Sequence, residues 1–326
     1  MRAARKTAII GLPRIVSRVG ASLCGSAAQV NVRQFPERPV LDILRTPLPP
    51  GIHFVATPIG AARDITLRAL DILASADVIA AEDTRTARHL MQIHGIALGD
   101  RPLIAYHDHS GPGVRARLIA LAAEGRSVAC VSEAGTPMVA DPGFPLARDA
   151  IAAGVPVHTA PGPSAMLAAL MVAGLPSDRV LFAGFPPQQG AARKAMFDEV
   201  AGLAATLVFY ESPKRVARFL ADLAAALGPD RPAAVCRELT KRFEEVARGT
   251  LGELARAFAD REVKGEIVVL VGRGVAAAAG EDEVEAALRS ALARVSVKDA
   301  VAEVAAALGL PRRQVYQAAL KLEAGE

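Results

Sequence analysis

Cysteine is scarce in this chain. Cys24, Cys130 and Cys236 are odd in number and widely spaced, which excludes a disulfide framework and fits no metal-binding spacing. A reducing cytoplasm is the expected compartment. Long apolar runs are missing as well. No stretch approaches the roughly 20 residues that a bilayer span needs, so no membrane segment is expected. Common cofactor and hydrolase signatures are absent too. Without GxGxxG or GxxxxGKS/T, a dinucleotide or nucleoside triphosphate cradle is not indicated. Without GxSxG or clustered His and Cys, neither a nucleophile elbow nor a metal centre is expected. His107 and His109 stand two apart with no third ligand nearby in the sequence.

Acidic residues avoid the N-terminus. MRAARKTAIIGLPRIVSRVG contains none, and residues 1–50 carry eight Lys/Arg against only Glu37 and Asp42, a net of +6. The whole chain is +4, so the remainder is −2, from 30 basic and 32 acidic side chains. The alkaline pI therefore describes the extension rather than the body, and the body needs a local patch to bind nucleic acid. In composition the extension resembles an organellar transit peptide. A disordered basic tail or an upstream start codon wrongly chosen is the plainer reading. RTPLPPG at 45–51 reads as a linker, which puts the start of the first domain at Gly51.

What is present is a globular composition, 52% apolar and 22% charged, enough for a real core. The length suits about two domains and an appendage. From residue 51 short apolar runs alternate with amphipathic stretches. IHFVAT (52–57), DVIAA (77–81), LIAYH (103–107), SVACVS (127–132) and VPVHTA (155–160) read as strands. Several are apolar at consecutive positions, the habit of parallel strands buried on both faces. VLFAGF (180–185), TLVFYE (206–211), AAVCREL (233–239) and EIVVLVG (266–272) form a second set, with the break near PGPSA at 161–165. GVAAAAGEDE reads as a hinge. Two helical patterns around Gly309-Leu310-Pro311 close the chain as a helix-turn-helix-like unit, with Ser296 as a cap and Pro311 in a first turn. The expected units are 1–50, 51–163, 164–274 and 283–326.

In a parallel α/β sheet, ligands bind beyond the carboxyl ends of the strands. Those ends here deliver TPIGA (57–61), AEDTR (81–85), HDHSG (107–111), SEAGTP with DPG (132–143) and PGPSA (161–165). Glycines let a backbone approach a ligand closely and prolines stiffen the loop around it. The turns at the opposite rim, such as LAAEGRS and ARDAIAAGVP, are plainer. One such loop is ordinary turn chemistry; five on one rim mark a binding edge for a polar, zwitterionic small molecule.

The stretches FVATPIGAARDITLRALDILASADVIAAEDTRTARHL, VSEAGTPMVADPGFPLARDA, APGPSAMLAALMVAGLPSDRVLFAGFPP, VFYESPKRV and CRELTKRFEEVARGTL occur in this order. Together they resemble the bacterial 16S rRNA (cytidine-2′-O)-methyltransferases, a family of the tetrapyrrole methylase superfamily. The resemblance covers about residues 51–273 and extends to the C-terminal helices. It implies two α/β domains of the tetrapyrrole methylase type with a cleft between them, plus a small C-terminal helical unit. It also implies S-adenosylmethionine in the cleft, no metal, a homodimer, and 16S rRNA or the 30S subunit as partner. Carried over by position, the cofactor would meet Pro58, Ile59, Glu133, Gly135, Thr136, Pro137, Asp141, Ser164 and Ala165, with Tyr210 and Gly265 from the second domain. Three positions depart from the usual pattern: Glu133 where Asp is common, Ala61 and Ser110 where Asn is common.

The chemistry asks for an aligned acceptor oxygen and a way to remove its proton. Candidate catalytic residues are Asp83, Glu211, Glu238 and Lys241, with Arg85, Arg215 and Arg237 for phosphate. Structural ion pairs are the plainer reading of Asp83–Arg85 and Arg237–Glu238. ESPKRV (211–216), RELTKR (237–242) and ARK (192–194) are expected to offer basic residues on second-domain loops. A single-stranded or splayed nucleotide is the expected target. The alternatives are a tetrapyrrole (precorrin-type) methyltransferase, whose members more usually carry a GxGPGD-like first loop in place of TPIGA, and a non-catalytic RNA-binding assembly factor.

Overall fold

The computed structural model describes residues 42–107, 109–274, 281–308 and 310–324. Residues 1–41 with Cys24, Asp108 of the HDHS motif and Gly309 lie outside them. Packing begins before Gly51. Ile43 and Leu48 pack on the first core, and Leu44 N donates to Asp71 Oδ1 at 2.8 Å.

The first half alternates strand and helix: β1 (Gly51–Val55), α1 (Leu67–Ser75), β2 (Val78–Ala81), α2 (Thr84–Ile93), β3 (Leu103–Ala105), α3 (Pro112–Ala123), β4 (Ser127–Val131), α4 (Phe144–Ala152) and β5 (Val157–Ala160). The second half continues with α5 (Ala165–Ala173), β6 (Val180–Gly184), α6 (Gly190–Val200), β7 (Thr206–Glu211), α7 (Val216–Leu227), β8 (Pro232–Arg237), β9 (Glu245–Thr250), α8 (Leu251–Phe258) and β10 (Ile267–Val271). Three helices end the chain: α9 (Glu281–Leu292), α10 (Val297–Leu308) and α11 (Arg312–Ala324). The expected strands are present, with ends within two residues of the expected ones; β7 matches at both ends, and β1 and β8 start one residue earlier. Pro311 stands one residue before α11 rather than inside its first turn.

The first sheet is wholly parallel, in the order β3-β2-β4-β1-β5. Its two faces explain the consecutive apolar runs. Val55, Ile79, Ala129 and Val131 pack against α1 and α2, while Ile52, Phe54, Val78 and Cys130 pack against α3 and α4. Burial pushes the Cys130 thiol up to about 12 and that of Cys236 on β8 up to about 11, so neither is a reactive thiolate at neutral pH.

The second sheet differs from the first. Its order is β6-β7-β10-β8-β9; only β6 and β7 are parallel, and the other three pairings are antiparallel. One face carries α6, α7 and α8 over a core that includes Phe197, Phe209 and Phe219. These three rings meet pairwise at centroid distances of 5.5 to 6.1 Å. The other face is covered by α5, which follows β5 of the first sheet yet packs Ala169 and Ala173 against β8 and β10. Strand β9 lies in a stretch that carries no clear strand pattern. It is a half-exposed edge whose Glu245 pairs with Arg237 and Arg261.

Hydrogen bonds from Arg261 first, and then from Arg237, hold the Glu245 carboxyl at about 2 against an ordinary 4.5. A depressed carboxyl stabilises the fold above its unfolded pKa and loses that contribution as pH falls through the folded value. Glu245→Gln is therefore expected to lower stability at pH 6 by no more than about 1 kcal/mol, because the pair is partly exposed. The difference should vanish as pH approaches 2. Urea midpoints at pH 6 and at pH 3 check this; a gap that widens in acid would refute it.

The helical unit has its own small core of Val284, Leu288, Val301, Val304 and Val315. Ser296 Oγ accepts from Asp299 N at 3.3 Å and so caps α10. Among the described residues no helix is long and apolar enough to cross a membrane.

Candidate active site

In an open parallel sheet the ligand crevice opens where neighbouring strands send their connections in opposite directions. Strands β1 and β4 are such a pair: β1 leads across to β2, and β4 leads the other way to β5. Their outgoing loops, 57–61 and 132–143, are tied together. Thr57 N donates to Gly135 O at 2.8 Å, and Gly135 N returns a bond to Thr57 O at 3.1 Å. Ser132 Oγ donates to Gly135 O, and Thr136 Oγ1 donates to Pro163 O, each at 2.8 Å. Gly135 has φ +88°, a conformation that an L side chain resists. This is the structural reason for the Gly-Thr-Pro after β4: a loop held rigid by its own backbone bonds beside the crevice.

The second sheet brings its own edge to the same place. Strands β7 and β8 are both antiparallel to β10, so their carboxyl ends share an edge with the start of β10. That is why Tyr210, Glu211, Glu238 and Gly265 come together from three distant stretches of sequence. The loop after β8 then reaches across to the first sheet. Ala61 N donates to Thr240 Oγ1 at 3.1 Å. A Cβ on Gly60 would stand 2.5 Å from Lys241 Cγ and 2.7 Å from Thr240 Oγ1, so only glycine allows this approach. Glu238 and Thr240 hold positive φ of +51° and +64° without being glycine, a strain that the clasp sustains.

Between the two edges lies a cavity of about 630 Å³. Of the expected cofactor residues, Pro58, Ile59, Glu133, Gly135, Thr136, Asp141, Ser164, Ala165, Tyr210 and Gly265 line it. Pro137 does not; it is buried in the loop behind. Of the catalytic candidates, Glu211 and Lys241 line it, whereas Asp83, Arg85 and Glu238 do not. Sequence reasoning missed Glu82, His89, Phe185, Glu266 and Ile267, which also face the cavity. Glu82 stood beside Asp83 in the AEDTR motif, and Glu266 beside Gly265. The signal was present, but the choice between neighbours needed the direction of each side chain.

The charged candidates separate by their partners. Asp83 is the cap of α2, accepting from Arg85 N at 2.7 Å and Thr86 N at 3.4 Å and pairing with the Arg85 guanidinium. Arg85 first, through side chain and backbone, pulls its pKa well below the ordinary carboxylate range. Glu211 is buried and accepts from Ser212 N at 2.6 Å and from Arg215 Nε at 2.8 Å. Glu238 accepts from Glu266 N and from Lys241 Nζ, both at 3.0 Å. The Glu266 N–H, more than Lys241, holds its pKa down. Burial lowers the Lys241 pKa, but hydrogen bonds to Glu238 and Glu266 outweigh it and leave the ammonium raised. Tyr210 accepts from Met166 N at 3.1 Å, and burial above all keeps its phenol protonated.

The expected phosphate-binding arginines are engaged within the protein. Arg215 pairs with Glu211 and Arg237 with Glu245. Arg193 of the ARK stretch is not on a loop at all. It is buried on α6, where its guanidinium meets Asp222 and the carbonyls of Pro187 and Gln188. Exposed basic residues near this rim include Arg85, Lys214 and Arg242. Of the departures, Ala61 contributes backbone alone, its N–H to Thr240 Oγ1 and its carbonyl to Asp64 N, and Ser110 Oγ accepts from His107 N at 2.9 Å to close a turn.

Residues 51–255 match the family model of tetrapyrrole (corrin/porphyrin) methylases, and residues 278–323 match that of the RsmI C-terminal HTH domain. The chain is 45% identical over 283 residues to the ribosomal RNA small subunit methyltransferase I of Mesorhizobium japonicum, covering 86% of this chain and 95% of that protein. It is 45% identical over 267 residues to the protein of the same name from Mycobacterium tuberculosis, covering 82% and 93%. The fold is shared with the methyltransferase CobJ, at a TM-score of 0.52 and 24% identity over 70% of this chain and 95% of that one. These matches span both sheets and the helical unit, so this chain belongs to the tetrapyrrole methylase family, within its ribosomal RNA small subunit methyltransferase I branch.

Proposed function

We propose that this chain transfers a methyl group from S-adenosylmethionine to the 2′-hydroxyl of a cytidine in 16S rRNA of the small ribosomal subunit. One observation carries the reading. The cavity between the two sheets is lined by five acidic residues, Glu82, Glu133, Asp141, Glu211 and Glu266, and a single lysine, Lys241, beside the loops of the first sheet. That lining suits a polar ligand with cationic centres, and about 630 Å³ lies in the usual range of small-molecule sites. Loops 57–60 and 133–136, with Ser164 and Ala165, would hold the cofactor, and Tyr210, Glu211 and Gly265 would close over it. When bound, S-adenosylmethionine supplies a methyl made electrophilic by its sulfonium.

The chain supplies the rest. Rims locked to each other fix the line of approach, an effect worth up to about 7–11 kcal/mol. Asp83 and Glu238, ionised and held low, are weak proton acceptors. Lys241, kept cationic by its two carboxylates, stabilises charge on the acceptor oxygen as its proton leaves for solvent.

RNA as the acceptor is supported by the names of the relatives. Exposed Lys214 and Arg242 at the rim also favour it, as does a groove of Lys298, Arg312, Arg313 and Tyr316 on the helical unit. A homodimer in the cytoplasm belongs to the same reading. Exposed Leu167 and Met171 on α5 offer apolar surface to a second copy.

The test is incubation of the purified protein with methyl-labelled cofactor and 30S subunits, free 16S rRNA or a precorrin. Label is expected in the rRNA, at a position resistant to alkaline cleavage, as a 2′-O-methyl requires. Label on the macrocycle, or no binding of S-adenosylhomocysteine by calorimetry, would overturn the proposal.

A further inference from the structure

We infer that Phe185 is the platform on which the base of the acceptor nucleotide stacks while its ribose enters the cavity. The inference rests on the RNA methylation reading above and adds to it the contact that seats the target nucleotide.

Aromatic residues are few in this chain, ten Phe and three Tyr with no Trp. Most of the phenylalanines are structural, but Phe185 is 59% exposed and lines the mouth of the cavity. Phe144, Phe243 and Tyr316 are also exposed, yet none of these lines it. An apolar ring left in water at the edge of a cavity costs hydration and serves the core in no way.

The local backbone is built to hold it there. In a regular strand, residues three apart face opposite sides of the sheet. Phe182 and Phe185 do not. The pairing of β6 with β7 skips a residue between Phe182 and Gly184, and Gly184 has φ +63°. The bulge turns both rings onto Tyr210, with centroids at 4.9 Å for Phe182 and 5.5 Å for Phe185, and both contacts are edge-type at 68°. Bulges beside active sites commonly re-aim a side chain in this way. Tyr210 cannot yield, because its hydroxyl is tied to Met166 N at 3.1 Å. Phe185 is thus fixed on one side and open on the other.

The occupant of that open side follows from depth. Ile59, Gly135 and Ser164, at the first-sheet end of the cavity, are buried, and that end suits the small cofactor. Phe185 lines the same cavity with its ring exposed to solvent, where a molecule arriving from outside can meet it. Bases of single-stranded RNA are recognised chiefly by stacking on aromatic rings.

The experiment compares Phe185→Leu and Phe185→Tyr with the unaltered protein. It measures KM for the RNA substrate, kcat at saturating RNA, and S-adenosylhomocysteine affinity by calorimetry. Phe185→Leu is expected to raise KM by about 10- to 100-fold, the loss of one stacked base, with cofactor affinity unchanged. Phe185→Tyr is expected to restore KM to within about threefold, because stacking needs a planar ring rather than apolar bulk. If Phe185→Leu leaves KM unchanged, or Phe185→Tyr fares no better than Phe185→Leu, the inference falls. A matching loss of cofactor affinity would instead make Phe185 a wall of the cofactor pocket. Unaltered protein that binds S-adenosylhomocysteine but methylates no RNA would sink the functional reading itself.

Discussion

Gly265→Ala is expected to lose cofactor affinity and methyl transfer together, each by on the order of 100-fold, while the protein stays folded. Gly265 has φ +93°, and a Cβ there would overlap Cγ, Cδ and Oε1 of Glu238. Glu238 has little freedom to move aside. Its own φ is +51°, and its carboxylate holds both Glu266 N and Lys241 Nζ at 3.0 Å. Displacing it frees the start of β10, where Glu266 and Ile267 form part of the cavity wall, and releases the ammonium that is clasped against Gly60. A small shift of reacting groups costs activity far more than stability. The thermal midpoint should drop by only a few degrees, reflecting about 1–2 kcal/mol of backbone strain. Calorimetry with S-adenosylhomocysteine and a single-turnover assay decide it. Affinity within threefold of the unaltered protein would show that the clasp does not shape the site.

The largest expected loss of stability comes from Phe219→Ala. Phe219 is 1% exposed and touches both Phe197 and Phe209 at the centre of the second core. Truncating a buried phenylalanine costs about 3–5 kcal/mol, since the lost transfer energy adds to that of the cavity left behind. Net stabilities are only about 5–15 kcal/mol, so the change removes a large share. At about 2–4 °C per kcal/mol for chains of this size, the midpoint should fall by roughly 10 °C. The ring lies on the far side of the second sheet from the cavity, so activity in the cold should persist. A loss below about 1 kcal/mol would mean that the surrounding helices close over the gap.

These two expectations mark what local sequence could and could not reveal. The first-sheet rim was legible because an all-parallel sheet sends every carboxyl end to one edge. Marking the five strands was then enough to collect 57–61, 132–143 and 161–165. The second rim was harder. IVVLV has no intrinsic direction, so nothing local says that β10 runs against its neighbours and brings Gly265 to the rim from its leading end. EVARGT, half exposed along β9, offers no apolar alternation to mark it as a strand. Among the charged candidates, Asp83 precedes a helix of Thr-Arg-Thr and is a cap, and Glu211 with Arg215 is an i, i+4 pair. Both alternatives could be written down in advance, but only coordinates could choose between them. Phe185 was missed because its orientation depends on a one-residue slip in β6, for which Gly184 inside the strand was the one local signal.

The path of α5 carries a lesson for anyone grafting halves of related enzymes. The helix departs from β5 yet packs Ala169 and Ala173 on β8 and β10. It therefore travels with the latter part of the chain, and a chimaera joined after Gly174 would seat a foreign helix on a mismatched surface. A junction between Pro163 and Ser164 would keep that packing native and leave the clasp from Ala61 N to Thr240 Oγ1 to be matched across the seam.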